Sequence, residues 1–251
     1  MKSFQAPKNR SQKGSALFII LVAVALFGAL SFTVMQIMRS GNPDAVGEEK
    51  ARLYAEEILN YGRALRQGAQ NTRITGGCSD KGISFESSIA GYTHSPVAAD
   101  ACKVFNEQGG AVNYIAPANE WLDLNYTPAP MMRGEWYFPA NTCIPGVGSA
   151  DDAGGCGLDG TDNESLIAIL PYIKKAICVQ INELLGVTNP SNNPPQETGD
   201  AWPDANTKFS GTMTDGTELN QTRLMTGCFE GASAATPDSG TYHFFQVLLP
   251  R

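Results

Sequence analysis

The stretch Lys13-Gly14-Ser15-Ala16-Leu17-Phe18-Ile19-Ile20-Leu21-Val22-Ala23-Val24-Ala25-Leu26-Phe27-Gly28-Ala29-Leu30 decides how the rest of the chain is read. From Ser15 to Ile37 no side chain carries a charge, and the next charge is Arg39. As a helix, residues 15–37 would extend about 35 Å, against about 30 Å for the hydrocarbon core of a bilayer. The expectation is a membrane-spanning helix over residues 15–39. Ahead of it, residues 1–14 carry Lys2, Lys8, Arg10 and Lys13 and no acid. Basic residues flanking a first apolar segment stay in the cytoplasm. The N-terminus is therefore expected inside, and everything beyond residue 39 outside the inner membrane.

A secretory signal has an apolar core of about 7–15 residues, closed by a small-x-small cleavage site. Here the run is longer, and the break, Gly14, comes before it. The basic leader, the Lys13-Gly14-Ser15 junction and the apolar run resemble the prepilin-type N-terminus of type IV pilins and type II secretion pseudopilins. The resemblance covers residues 8–68. It implies that a prepilin peptidase cuts after Gly14 and that Ser15 becomes an N-methylated first residue. It also implies partners: other pilin-like subunits, an inner-membrane assembly platform, and the lipid bilayer before assembly. The head would lie in the periplasm, and later on a pilus or pseudopilus at the cell envelope or surface. Main subunits of that family mostly carry Glu at the fifth mature position, where this chain has Ile19. That departure implies a minor, tip-type subunit. The alternative is a single-pass, membrane-anchored periplasmic binding module that never polymerises.

Beyond Arg39, Asn42-Pro43-Asp44 reads as a helix start, with Asn42 as cap and Pro43 at the first position. Ala51, Tyr54, Ile58, Tyr61 and Leu65 recur at helical spacing, and Glu49, Arg52, Glu56, Asn60, Arg63 and Gln67 fall opposite. The pattern predicts an amphipathic helix over about 44–68. From residue 70 on, Gly, Asn, Ser, Thr and Pro become frequent and apolar runs short. Strands are expected at Ala111–Ile115, Gly134–Phe138 and Tyr242–Leu249, and a helix at Pro171–Leu185 stopped by Gly186. Residues 189–204 read as a Pro-rich loop. The domain expectation is a leader at 1–14, a membrane or fibre-core helix at 15–39, its amphipathic continuation at 40–70, and an exported head at 71–251. The fold class expected is α+β: a long N-terminal helix, membrane-spanning then amphipathic, packed on a disulfide-bonded, antiparallel β-rich head.

The six cysteines, Cys78, Cys102, Cys143, Cys156, Cys178 and Cys228, all lie on the exported side. An even number in an oxidising compartment predicts disulfides. Local closure favours Cys78–Cys102, Cys143–Cys156 and Cys178–Cys228, with other pairings open. No Cys-x-x-Cys pair is present and there are only two histidines, so zinc is not expected.

Without its four leader bases the formal charge falls from −7 to −11. An acidic exported domain repels phosphates, so no nucleic-acid partner is expected. The run Asp151–Glu164 mixes carboxylates with glycines, the oxygen-rich, flexible chemistry calcium uses. Asp159, Asp162 and Glu164 are the calcium candidates, against the plainer reading of a solvated loop, and the spacing is not that of an EF-hand. Thr214-Asp215-Gly216-Thr217-Glu218 is a weaker acidic turn of the same kind. No other cofactor is expected. No enzyme is expected either: the chain has no Gly-x-Ser-x-Gly elbow, no phosphate loop and no His-Glu-x-x-His. His243 reads as a half-buried strand residue. Trp121, Tyr126, Trp136, Tyr137 and Phe138 read as core, with a ring-stacking surface patch as the alternative.

Overall fold

The computed structural model describes residues 18–28, 43–86, 92, 94, 98–125, 133–148, 164–197, 208–213, 217–221, 223–232 and 237–251. The chain divides into two compact units, Met1–Gly47 and Glu48–Arg251. In the first, residues 18–28 are helical and their side chains are exposed. Among the described residues no helix is long and apolar enough to cross a membrane. This corrects the expected fold class. The membrane-spanning first half of a long N-terminal rod is not found among the described residues, and the long helix described there is amphipathic. The expectation rested on the length of an uncharged run, and lack of charge does not by itself dictate a helix long enough to span.

That long helix, α1, spans Pro43–Ile74. It extends beyond the expected 44–68. Ala51, Ala55, Ile58, Leu65 and Ala69 fall one or two helical turns apart on one stripe and are buried to 4% exposure or less. Arg52, Glu56, Asn60, Arg63 and Gln67 face solvent. Arg52 and Glu56 pair at 3.5 Å one turn apart, an exposed contact that contributes little. What holds α1 is its apolar stripe, at about 25 cal/mol per Å² of apolar surface removed from water. Two glycines let it approach closely. A Cβ at Gly62 would stand 3.0 Å from the Phe244 ring, and one at Gly68 would stand 2.5 Å from Val112 Cγ2.

A three-stranded antiparallel sheet forms the centre of the second unit. Strands β2 (Leu166–Ile173), β4 (Thr226–Glu230) and β5 (Tyr242–Leu249) lie in the order β2-β5-β4. Two short parallel strands, β1 (Thr142–Cys143) and β3 (Thr217–Glu218), pair separately. On one face of the sheet Leu166, Ala168, Leu170, Phe244 and Leu248 pack with α1 and with Ile177 and Ile181 of helix α2 (Lys175–Leu185). On the other face Ile167, Ile169, Phe229, Phe245 and Val247 pack with Ile144, Val147 and Leu219. Both faces are thus covered.

The strand expected at Tyr242–Leu249 is found there. The helix expected from Pro171 starts instead at Lys175, because residues 166–173 are strand. Pro171 falls in a register shift between Leu170 and Ile173, where a ladder donor is dispensable. Gly186 ends α2 as expected, at φ +72°. Residues 134–138 contribute a single bridge, Tyr137 to Ile169, and residues 111–115 belong to no strand. Disulfides join Cys78 to Cys102 and Cys178 to Cys228, with Cα atoms 5.8 and 5.3 Å apart. Cys143 is disulfide-bonded too, and Cys156 lies outside the described residues.

Candidate functional site

The processing junction Gly14–Ser15 and the calcium candidates Asp159 and Asp162 lie outside the described residues. Glu164 is described. It is buried at 4% exposure immediately ahead of β2. Among the described residues no three His, Cys, Asp or Glu side chains gather as a metal site. Asp215 is also outside, and Glu218 is half-buried in β3.

Two other buried carboxylates are occupied with loops. Both oxygens of Glu197 accept from the Asn220 N–H, at 3.1 and 2.9 Å. Glu230 accepts from the Gly240 N–H at 3.2 Å. Backbone bonds Glu197 N–H to Glu230 O and Glu230 N–H to Pro195 O lay segment 195–197 along β4. These acids therefore clamp loops to the sheet.

Neither histidine is placed as a general base. The His94 ring lies 3.0 Å from the Lys81 carbonyl through Nε2, edge-on to Phe209 at 5.4 Å. His243 is fully buried on β5, between Tyr172 and Phe229, with Nε2 2.8 Å from the Thr241 hydroxyl. Burial alone pushes its pKa down to about 3, so it is neutral at pH 7. A consequence follows for stability. In the unfolded chain a His titrates near 6.5. Between about pH 3 and pH 6.5 the unfolded state binds the extra proton, so this contribution is fully present above 6.5 and lost as pH falls toward 3. The expected slope approaches 1.4 kcal/mol per pH unit in that window. Unfolding free energy measured against pH should show it, and His243→Phe should flatten it.

The aromatic cluster is core. Trp136 and Phe138 are fully buried, and Tyr137 and Trp121 are 3% and 6% exposed; Tyr126 is outside the described residues. Phe85 stacks on Phe138 at 4.0 Å, and Trp136 meets Tyr61 at 5.2 Å.

One concavity was not visible in the sequence. A groove of about 380 Å³ runs between the middle turns of α1, at Tyr61, Gln67 and Asn71, and the segment 110–115. Tyr61 ties its two walls together. Its hydroxyl accepts from the Ile115 N–H at 2.9 Å and donates to the Asn113 carbonyl at 3.2 Å. Burial raises the Tyr61 pKa to about 12, against the opposing pull of the Ile115 N–H. Only its two walls' proximity makes this a site, and nothing in their separate sequences announces that proximity. Comparison with protein-family models, with curated proteins and with solved structures finds no match for this chain.

Proposed function

We propose that the chain is a minor subunit of a type IV pilus-like or type II secretion fibre, cut by a prepilin peptidase after Gly14. The observation that carries this is the Lys13-Gly14-Ser15 junction set between a purely basic leader and the uncharged stretch 15–37. Before assembly the apolar stretch partitions into the inner-membrane bilayer, with the leader on the cytoplasmic side and the head in the periplasm. Two features of the chain support the reading. Its amphipathic helix α1 buries one stripe and leaves the other wet. Its cysteines are oxidised, as suits an exported protein.

Ile19 supplies the reason for a second reading. A lateral docking contact that needs a carboxylate at that position is missing here. A membrane-anchored periplasmic binding module that does not polymerise would have no use for it. The mature N-terminus separates the two. Mass spectrometry of the cellular product should find N-methylated Ser15 as the first residue under the fibre reading, and Met1 under the anchored one. Gly14→Leu should leave the basic leader attached in cells that contain the peptidase. If wild type and Gly14→Leu yield products that both start at Met1, the fibre reading is abandoned.

A further inference from the structure

The fibre reading makes no use of the groove between α1 and residues 110–115, yet its chemistry is selective. Among the described residues no Asp, Glu, Lys, Arg or His lines it. The titratable group among the described lining, Tyr61, stays protonated, with its hydroxyl already engaged on both sides. The described lining thus has no charge with which to hold a phosphate, a carboxylate or a cation. It offers carboxamides instead: Gln67 and Asn71 on the helix wall, and Asn113 on the opposite wall. Ala64, Gly68 and Val112 supply apolar lining.

Each carboxamide both donates and accepts. A trans secondary amide sends its N–H and its C=O in opposite directions, so it needs polar partners on two facing walls. Its methyl, if acetylated, needs an apolar strip. The groove's volume lies within the roughly 300–1,000 Å³ typical of small-ligand sites. An extended peptide also carries such amides, but it would bind by adding to the backbone edge of residues 111–115. That edge is in use. Val112 N–H donates to the Val104 carbonyl, and the Asn113 carbonyl and Ile115 N–H are both held by Tyr61.

The rim adds an independent sign. Ala111 sits at φ +55°, where L-residues with a Cβ are uncommon, and its N–H is fixed to the Asn106 carbonyl at 2.9 Å. Strain of this kind persists where its surroundings enforce it, and it concentrates at ligand clamps. We propose that this groove binds the acetamido group of a neutral N-acetylated amino sugar. The inference does not depend on whether Gly14 is cut.

The test uses the full chain in detergent, titrated by NMR with di-N-acetylchitobiose, and with cellobiose as the sugar lacking acetamides. Saturable binding near ~1 mM is expected, with saturation transfer strongest at the acetamido methyls, and cellobiose at least ~10-fold weaker. Gln67→Ala and Asn113→Ala, both at exposed positions, should each weaken binding about 10-fold. Arg63→Ala, on the exposed face of α1 and outside the groove, should bind as wild type. Equal response to the two sugars, no saturation by ~20 mM, or amide variants that bind like wild type would each overturn the proposal.

Discussion

Joint replacement of Cys178 and Cys228 by alanine should lower the unfolding free energy by about 4 kcal/mol, the cost of freeing a closed loop of this length in the chain-entropy account. The two residues are 50 apart in sequence, and they fasten α2 to the middle of β4. Cys178 is fully buried and Cys228 is 1% exposed, so neither sulfur can recover hydration in the folded state. The Cys78–Cys102 bridge closes a shorter loop, with a sequence separation of 24, and its loss should cost about 3 kcal/mol on the same account. Urea unfolding can be followed by the fluorescence of the buried Trp121 and Trp136. With a slope of about 2 kcal/mol/M, the 178/228 variant should unfold roughly 2 M earlier than wild type. A midpoint shift below roughly 0.5 M would mean that packing between α2 and β4, not the covalent link, holds that corner.

How much of this architecture could be read in advance depended on whether an element's own periodicity or composition marks it. In α1, charges opposite Ala51, Ile58 and Leu65 made the periodicity visible, and the helix lies where the pattern put it. The span Tyr242–Leu249 carried its flanking turns and β-rich composition plainly. β2 was hidden for the opposite reason. Leu166-Ile167-Ala168-Ile169-Leu170-Pro171-Tyr172-Ile173 is buried at every position, so no period distinguishes strand from helix, and Pro171 looked like a helix start. Tyr172, at φ +56°, absorbs the irregularity that Pro171 introduces. Thr226–Glu230 was missed because Gly227 and Cys228 carry little strand preference; the partners Gln246 to Tyr242 impose it. For the first apolar stretch the expectation of a spanning helix is not met among the described residues, where no helix is long and apolar enough to cross a membrane. The two disulfides joined sequence neighbours among the cysteines, the easiest case to anticipate. The groove was illegible because its walls are joined by contacts between residues far apart in sequence, such as Tyr61 and Asn113, 52 apart, and Gly68 against Val112, and such contacts have no sequence signature.

Asn182→Leu should destabilise the protein by about 3–5 kcal/mol, although leucine favours helix more than asparagine does and fits a similar volume. Asn182 is an unusual residue for its place, fully buried in α2. Its side chain acts as a further strand at the edge of β4. Oδ1 accepts from the Cys228 N–H at 2.9 Å, and Nδ2 donates to the Cys228 carbonyl at 2.8 Å. Nδ2 also reaches Asn189 Oδ1 at 2.9 Å, and Asn189 in turn donates to the Val179 carbonyl at 3.1 Å. Leucine would leave a buried N–H and a buried C=O of Cys228 without these partners, at about 1–3 kcal/mol each, and would unhook the loop after α2. Asparagine to aspartate should be no milder, because it faces the Cys228 carbonyl and the Asn189 oxygen with an acceptor or a buried charge. The measurement is denaturant unfolding together with hydrogen exchange at the Cys228 amide, which should accelerate in the leucine variant. A loss under about 1 kcal/mol would show that β4 does not need this side-chain partner. The amide and the disulfide act on the same strand residue, since Cys178 lies one helical turn before Asn182 and is bonded to Cys228. Their removals should therefore fail to add: once either tether is gone, β4 can move from α2 and rehydrate, so the second loss costs less than it does alone.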